Sequence, residues 1–172
     1  MKRIKGLLTA ITGLLLITMS PPLWAEETWL TDFQAARKFA QEKRLILLAA
    51  FVGSDWCPWC QKLESEIFNQ PEFKEFAKDR FILFLADFPR HKDLPVELKN
   101  QNQELQKQYT VKSFPTVLFL DAEGKEIARM GYRPGGVGLY LEAIKSKIPQ
   151  ADTGAKEAGP WTSSFFPPPT GP

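Results

Sequence analysis

The sequence predicts an α/β fold in which a mixed sheet of four to five strands carries helices on both faces. Two observations predict it. Apolar runs of strand length alternate along the chain with segments whose apolar residues recur at helical spacing. Their order is typical of a parallel β–α–β unit that is followed by an antiparallel β-hairpin and a last helix.

The first half of the domain supplies three helices and two strands. Thr31 and Gln34 form a capping box before the first helix. Both strands are apolar throughout, which predicts that they lie in the centre of the sheet with both faces covered. The predicted helices span residues 31–42, 58–68 and 71–78, and the strands span residues 45–52 and 81–86.

The second half supplies the hairpin and two further helices. The loop at 87–95 is polar and holds His91, which we expect to be solvated rather than catalytic. The turn at 121–124 joins the two strands of the hairpin. In the glycine-rich connection at 131–138, residues 132–136 either line the groove near the site or form a turn. The predicted helices span 97–109 and 137–148, and the strands span 116–120 and 125–130.

The two ends of the chain differ from the domain between them. Residues 1–25 combine a basic start, a short apolar stretch and a small residue, Ala25, which predicts a secretory signal peptide; an uncleaved anchor is the alternative. Residues 149–172 are rich in Pro and Gly and lack apolar periodicity, which predicts a disordered tail. Docking of the tail's aromatic residues on a surface is the alternative. The folded domain is therefore predicted at 26–148.

Length and charge exclude some classes of protein. At 172 residues the chain is long enough for one domain with a substantial core. The formal charge is +2, from 22 basic and 20 acidic residues. Without Lys2, Arg3 and Lys5 of the predicted signal, 19 basic residues face the same 20 acidic ones, a charge of −1. We therefore expect no nucleic-acid partner.

The chain has two cysteines, and both lie where the first strand meets the second helix. They belong to the segment Trp56-Cys57-Pro58-Trp59-Cys60. Pro58 suits the first helical position, and the N–H groups of that end favour a thiolate on Cys57 with a lowered pKa. Cys60 lies on the inward face of the helix and is expected to be less exposed. One accessible thiolate and one sheltered thiol are what disulfide exchange requires.

Two other interpretations of the cysteine pair compete with redox chemistry. A structural disulfide across so short a loop would add little stability. Half of a zinc site would need further ligands, but the chain has no second Cys pair and a single histidine. In a secreted protein a lone CxxC pair next to a strand–helix junction favours a working dithiol, without a metal or another cofactor.

The chain resembles the thioredoxin superfamily over roughly residues 31–148. The matching residues are the segment 56–60, Phe114-Pro115-Thr116 and Gly131 after the last strand. From the sequence alone Pro115 is either a strand-entry residue or a cis-proline. The resemblance implies a thioredoxin fold in which Pro115 is cis and packs against the CxxC, and in which Phe114 contacts the substrate backbone. Core packing is the alternative role for Phe114.

Within that superfamily the signal peptide and the segments GSDWC and LADFPR resemble periplasmic disulfide reductases of the DsbH type. This resemblance implies a periplasmic reductase of disulfides in secreted proteins. A monomer is expected, because isomerases of the superfamily need an added dimerisation domain and the sequence shows none. It also implies that a DsbD-type membrane protein supplies the electrons. An oxidase that donates its disulfide and a non-catalytic binding module of the same fold remain alternatives.

The sequence departs from cytoplasmic thioredoxins in two places. Those proteins carry a buried acid before the first cysteine, whereas this chain has Ala50 or Phe51 there, so water or another group must exchange the proton of Cys60. Pro58-Trp59 replaces the Gly-Pro dipeptide between the cysteines. Together with Trp56, these two residues are expected to tune the stability of thiolate and disulfide.

Overall fold

The computed structural model describes residues 29–148, so the predicted signal peptide and the predicted tail lie outside the described residues. The described part of the chain forms a thioredoxin fold of the α/β class. A four-stranded mixed sheet carries helices on both faces. The elements are α1 (Phe33–Lys43), β1 (Ile46–Val52), α2 (Pro58–Leu63), a π-helical segment (Glu64–Phe68), α3 (Pro71–Ala77), β2 (Phe81–Asp87), α4 (Val96–Gln108), β3 (Thr116–Leu120), β4 (Glu126–Met130) and α5 (Gly136–Lys147).

The strand order of the sheet is β2-β1-β3-β4. β1 pairs in parallel with β2 and antiparallel with β3, which confirms that β1 is central. The prediction that β2 is also central was wrong, because within residues 29–148 only the isolated bridge from Leu30 to Phe84 covers its outer edge. The residues of β2 are apolar because helices cover both faces of the strand. An apolar run indicates that both faces are covered, but it does not indicate whether another strand pairs with each edge.

Two buried clusters fill the two sides of the sheet. Alternate residues of β1 point to opposite sides, as the period of a strand requires. Ala50 belongs to the cluster under α2, α3 and α5, which also holds both cysteines. Phe51 belongs to the cluster under α1 and α4. The disulfide is therefore part of the first cluster.

Helix ends differ from prediction where a neighbouring residue offers a better hydrogen bond. The cap of α1 is Asp32, whose carboxylate accepts a hydrogen bond from the Ala35 N–H at 3.0 Å, so the predicted capping box of Thr31 and Gln34 was wrong. A helix does cover the predicted range 58–68, but its second half is π-helical rather than α-helical. There the Asn69 N–H donates to the Glu64 carbonyl. Such π turns occur frequently at functional sites.

The topology brings three connections together at one end of the sheet. β1 and β2 run parallel, so the loops that follow them leave from the same edge. The antiparallel β3 begins there, since Thr116 pairs with Phe51 at the end of β1. Across residues 29–148, no helix has the length and apolar character needed to cross a membrane.

Candidate active site

The candidate site is the Cys57–Cys60 disulfide at the first turn of α2. Cys57 is the N-cap residue, and its sulfur accepts a hydrogen bond from the Cys60 N–H at 3.2 Å. Pro58 occupies the first helical position, as predicted. The predicted difference in exposure was wrong: in this disulfide form Cys57 is 4% exposed and Cys60 3% exposed. The side chains around Cys57 cover it as fully as the fold covers Cys60.

The loop before β3 contains the cis-proline that the resemblance implies. The Phe114–Pro115 peptide bond is cis, and Pro115 is buried. Gly131 follows β4, and a Cβ there would lie 3.2 Å from the Pro115 carbonyl oxygen, so this close approach favours glycine. A surface cavity of about 460 Å³ opens beside the proline; its lining residues include Ser113, Pro115, Thr116, Met130 and Gly131.

Trp56, immediately before the first cysteine, is held in place on several sides. Its indole N–H donates to the Phe88 carbonyl at 2.7 Å, and its ring meets Phe114 edge to face at 5.8 Å. The guanidinium of Arg90 lies 3.7 Å from the ring centroid. Phe114 is half-buried and also packs on Phe88 at 5.0 Å, so it contributes to the core and to the surface of the site.

Two carboxylates connect the turn between β1 and α2 to the end of β2 and the loop that follows it. Asp87 is the last residue of β2, and Asp55 lies in the turn. Asp87 accepts hydrogen bonds from the N–H and the hydroxyl of Ser54, at 3.0 and 2.7 Å. Asp55 accepts from the backbone N–H groups of Arg90 and His91, at 3.0 and 2.7 Å. Burial raises the pKa of Asp55, but these two N–H groups and the nearby His91 outweigh that effect and lower it below its ordinary value.

The sequence analysis did not predict these hydrogen bonds, because the pattern at residues 87–95 indicates only a polar loop. A signal was present in the sequence. Asp87 ends β2, and Ser54 comes shortly after β1. The carboxyl ends of neighbouring parallel strands lie at the same edge of a sheet, so these two residues are expected to be close. His91 itself is exposed, as predicted, and its Nδ1 lies 3.7 Å from the Asp55 carboxylate.

Trp59, between the cysteines, projects from the site. It is 55% exposed, and its ring stacks on Tyr132 with centroids 5.6 Å apart and planes inclined by 30°. The Tyr132 hydroxyl donates to the Glu66 carboxylate at 2.5 Å, which raises the pKa of Tyr132. The predicted glycine-rich connection therefore does line the site, through Tyr132. Glu66 and Tyr132 are 66 residues apart in the sequence, and no local sequence pattern predicts that they are in contact.

In the part of the chain that the structure describes, no buried acid lies beside Cys60 to exchange its proton. Ala50, rather than Phe51, lies in the cluster of the cysteines, and it is apolar. Within residues 29–148 the one buried carboxylic acid is Asp121, which follows β3 at the opposite end of the sheet. A polar contact to the Cys60 sulfur comes from the Gly53 N–H at 3.4 Å.

A disulfide at a helix N-terminus, at the same end of a thioredoxin-type sheet as a cis-proline, defines a class of protein: the thiol–disulfide oxidoreductases. Among the described residues no cluster of three His, Cys, Asp or Glu side chains is placed to hold a metal ion.

The comparisons with known proteins agree with this class. The family described as a thioredoxin-like domain matches residues 33–137. The disulfide bond reductase DsbH of Chlamydia pneumoniae is 42% identical over 120 residues, which are 70% of this chain and 72% of that protein. A solved structure of a DsbH oxidoreductase has a TM-score of 0.69 at 36% identity, over 77% of this chain and 92% of the other. The chain belongs to the thioredoxin-like family and is a thiol–disulfide oxidoreductase.

Two further relatives extend the comparison. The thioredoxin-related protein DsbJ of Chlamydia pneumoniae is 28% identical over 96% of this chain, which spans 48% of that protein. The thiol:disulfide interchange protein DsbD of Actinobacillus pleuropneumoniae is 27% identical over 58% of this chain and 15% of its own length.

Proposed function

We propose that the protein is a periplasmic reductase of disulfide bonds in secreted proteins, with Cys57 as the nucleophile and Cys60 as the resolving thiol. The observation that carries the proposal is the hydrogen bond from the Cys60 N–H to the Cys57 sulfur. A backbone donor aimed at this sulfur stabilises a thiolate on Cys57 when the pair is reduced. The similarity to a protein named as a disulfide bond reductase supports the direction.

The reaction proceeds in two exchanges. The Cys57 thiolate attacks one sulfur of a substrate disulfide, a mixed disulfide forms, and the other substrate sulfur leaves as a thiolate that takes up a proton. Cys60 then loses its proton and attacks the Cys57 sulfur, which releases the second substrate thiolate. The substrate gains two electrons and two protons, and the Cys57–Cys60 disulfide is formed.

The proton of Cys60 goes to water or to the departing substrate thiolate, since no buried acid stands beside it in the described structure. Pro115 is proposed to contact the substrate backbone because it lines the open cavity at the end of the sheet where β3 begins. Phe114 is proposed to do so because its half-buried ring meets Trp56, the residue before Cys57. A second dithiol protein must return electrons to the pair by the reverse exchange. The similarity to DsbD supports a DsbD-type membrane donor.

The compartment and the oligomeric state complete the proposal. The basic and apolar residues at 1–25 support export into the periplasm. The protein is proposed to act as a monomer on disulfide-containing secreted proteins.

Substitution of each cysteine tests the two roles. Cys57→Ser is expected to abolish insulin reduction, whereas Cys60→Ser is expected to trap mixed disulfides that are visible on non-reducing gels. Full activity of the Cys57→Ser protein would overturn the mechanism. Absence of trapped species with Cys60→Ser would remove the resolving role of Cys60.

The direction of electron flow is tested by the reduction potential of the pair, measured against glutathione by tryptophan fluorescence. A value near about −270 mV, as in thioredoxin, agrees with a reductase. A value near about −120 mV, as in strong oxidants, would instead make the protein a disulfide donor.

A further inference from the structure

Exposed Trp59 and half-buried Tyr132 form an aromatic surface beside the disulfide, which we call the aromatic shelf. Trp59 is 55% exposed although it lies between two cysteines that are almost fully buried. Its ring stacks on Tyr132 at 5.6 Å. An exposed aromatic side chain next to a reactive group, stacked on a second ring, offers an apolar surface for a partner to bind.

The shelf is held in place by two separate elements. Tyr132 lies just after β4, and its hydroxyl donates to Glu66 in the π-helical segment. Trp59 is fixed at its backbone by the first turn of α2. Because both rings are positioned before a partner arrives, little ordering is needed when one binds.

A substrate that reaches the Cys57 sulfur must contact the side chains that surround it, because Cys57 is 4% exposed. On one side the ring of Trp56 is already engaged: Arg90 lies over its face, Phe114 meets its edge, and its N–H is bonded. On the other side of the disulfide, the exposed ring of Trp59 remains available for contact with a substrate.

We propose that the aromatic shelf binds an aromatic or large aliphatic side chain next to the cystine of the substrate polypeptide. This inference rests on the proposed function and adds a preference among its substrates. A basic side chain is disfavoured there, because the ammonium of Lys62 lies 5.2 Å from the centroid of the Trp59 ring and repels a second cation.

The test uses the reduced protein in single-turnover reactions with three synthetic cyclic peptides, whose disulfide is flanked by Phe, Gly or Arg. Rate constants are measured by acid quenching and chromatography. The Phe peptide is expected to react about three- to tenfold faster than the Gly peptide, from the usual strength of an aromatic contact. The Arg peptide is expected to react no faster than the Gly peptide.

Variants connect the preference to the shelf. Tyr132→Ala is expected to bring the Phe-to-Gly ratio close to one, whereas Tyr132→Phe, which keeps the ring, should retain most of it. Phe39→Ala is the matched control, because Phe39 is an exposed aromatic residue of α1, 42% exposed and on the other side of the sheet from the cysteines. It should leave the ratio at the wild-type value.

The outcomes separate this inference from the proposed function. A wild-type ratio near one, or a ratio that survives Tyr132→Ala, refutes the shelf as a binding surface. If Tyr132→Ala slows alkylation of Cys57 by iodoacetamide and slows all three peptides equally, Tyr132 acts on the thiol and the inference is also refuted. Failure of the wild-type protein to reduce any peptide would refute the proposed function itself.

Discussion

Replacement of Gly53 by alanine is expected to disturb the active-site turn through a single methyl group. Gly53 is buried directly after β1, and an added Cβ would clash with Cε2 of the Trp56 indole. Real Cβ atoms do not approach other atoms so closely. The indole cannot simply move aside, because its N–H is bonded to Phe88 and Arg90 lies over its face.

The size of the effect follows from these contacts. Overpacking of a well-packed site costs about 1–3 kcal/mol. A shift of Trp56 also leaves the Phe88 carbonyl without its donor, which adds about 1 kcal/mol. A total of roughly 2–4 kcal/mol corresponds to a fall in Tm of roughly 8–16 °C for a domain of this size.

The assay is thermal unfolding of the oxidised protein by circular dichroism, with tryptophan fluorescence as a local probe. Gly138→Ala is the matched control: Gly138 lies in α5, and a Cβ there would meet nothing within 4 Å. Because alanine favours a helix over glycine, this variant should gain about 0.5–1 kcal/mol. The reasoning is refuted if Gly53→Ala is as stable as the wild type, or if both substitutions shift Tm in the same direction.

Two further predictions concern acid stability and a buried hydroxyl. Because its pKa is lowered in the folded protein, ionised Asp55 stabilises the fold above its unfolded pKa of about 3.9, and this contribution is lost as the pH falls through the folded value. The urea midpoints of the wild type and Asp55→Asn should therefore converge below about pH 4, and an equal gap at pH 3 and pH 7 would contradict this. The Tyr140 hydroxyl is buried, which raises its pKa, and it finds no hydrogen-bond partner among the described residues. Tyr140→Phe should raise the free energy of unfolding by about 1 kcal/mol, and a clear loss in denaturant titration would show that the hydroxyl contributes a favourable contact.

Most of the fold was predictable from local patterns. Strand and helix positions follow from the spacing of apolar residues, and the helix at Pro58 begins where a proline at the first position indicates. The error at β2 arose because a sequence shows which residues are buried but not which strand lies beside them. The cis bond before Pro115 came from the family resemblance, since the local sequence is compatible with both isomers.

The sequence by itself determined the chemistry of the site: two cysteines separated by Pro58 and Trp59 at a strand–helix junction. Only the tertiary structure decided what surrounds that chemistry. It buries Cys57 and joins Tyr132 to Glu66. These contacts form between segments far apart in the chain, and their partners are selected by the packing of the whole domain, so no local pattern of residues could specify them.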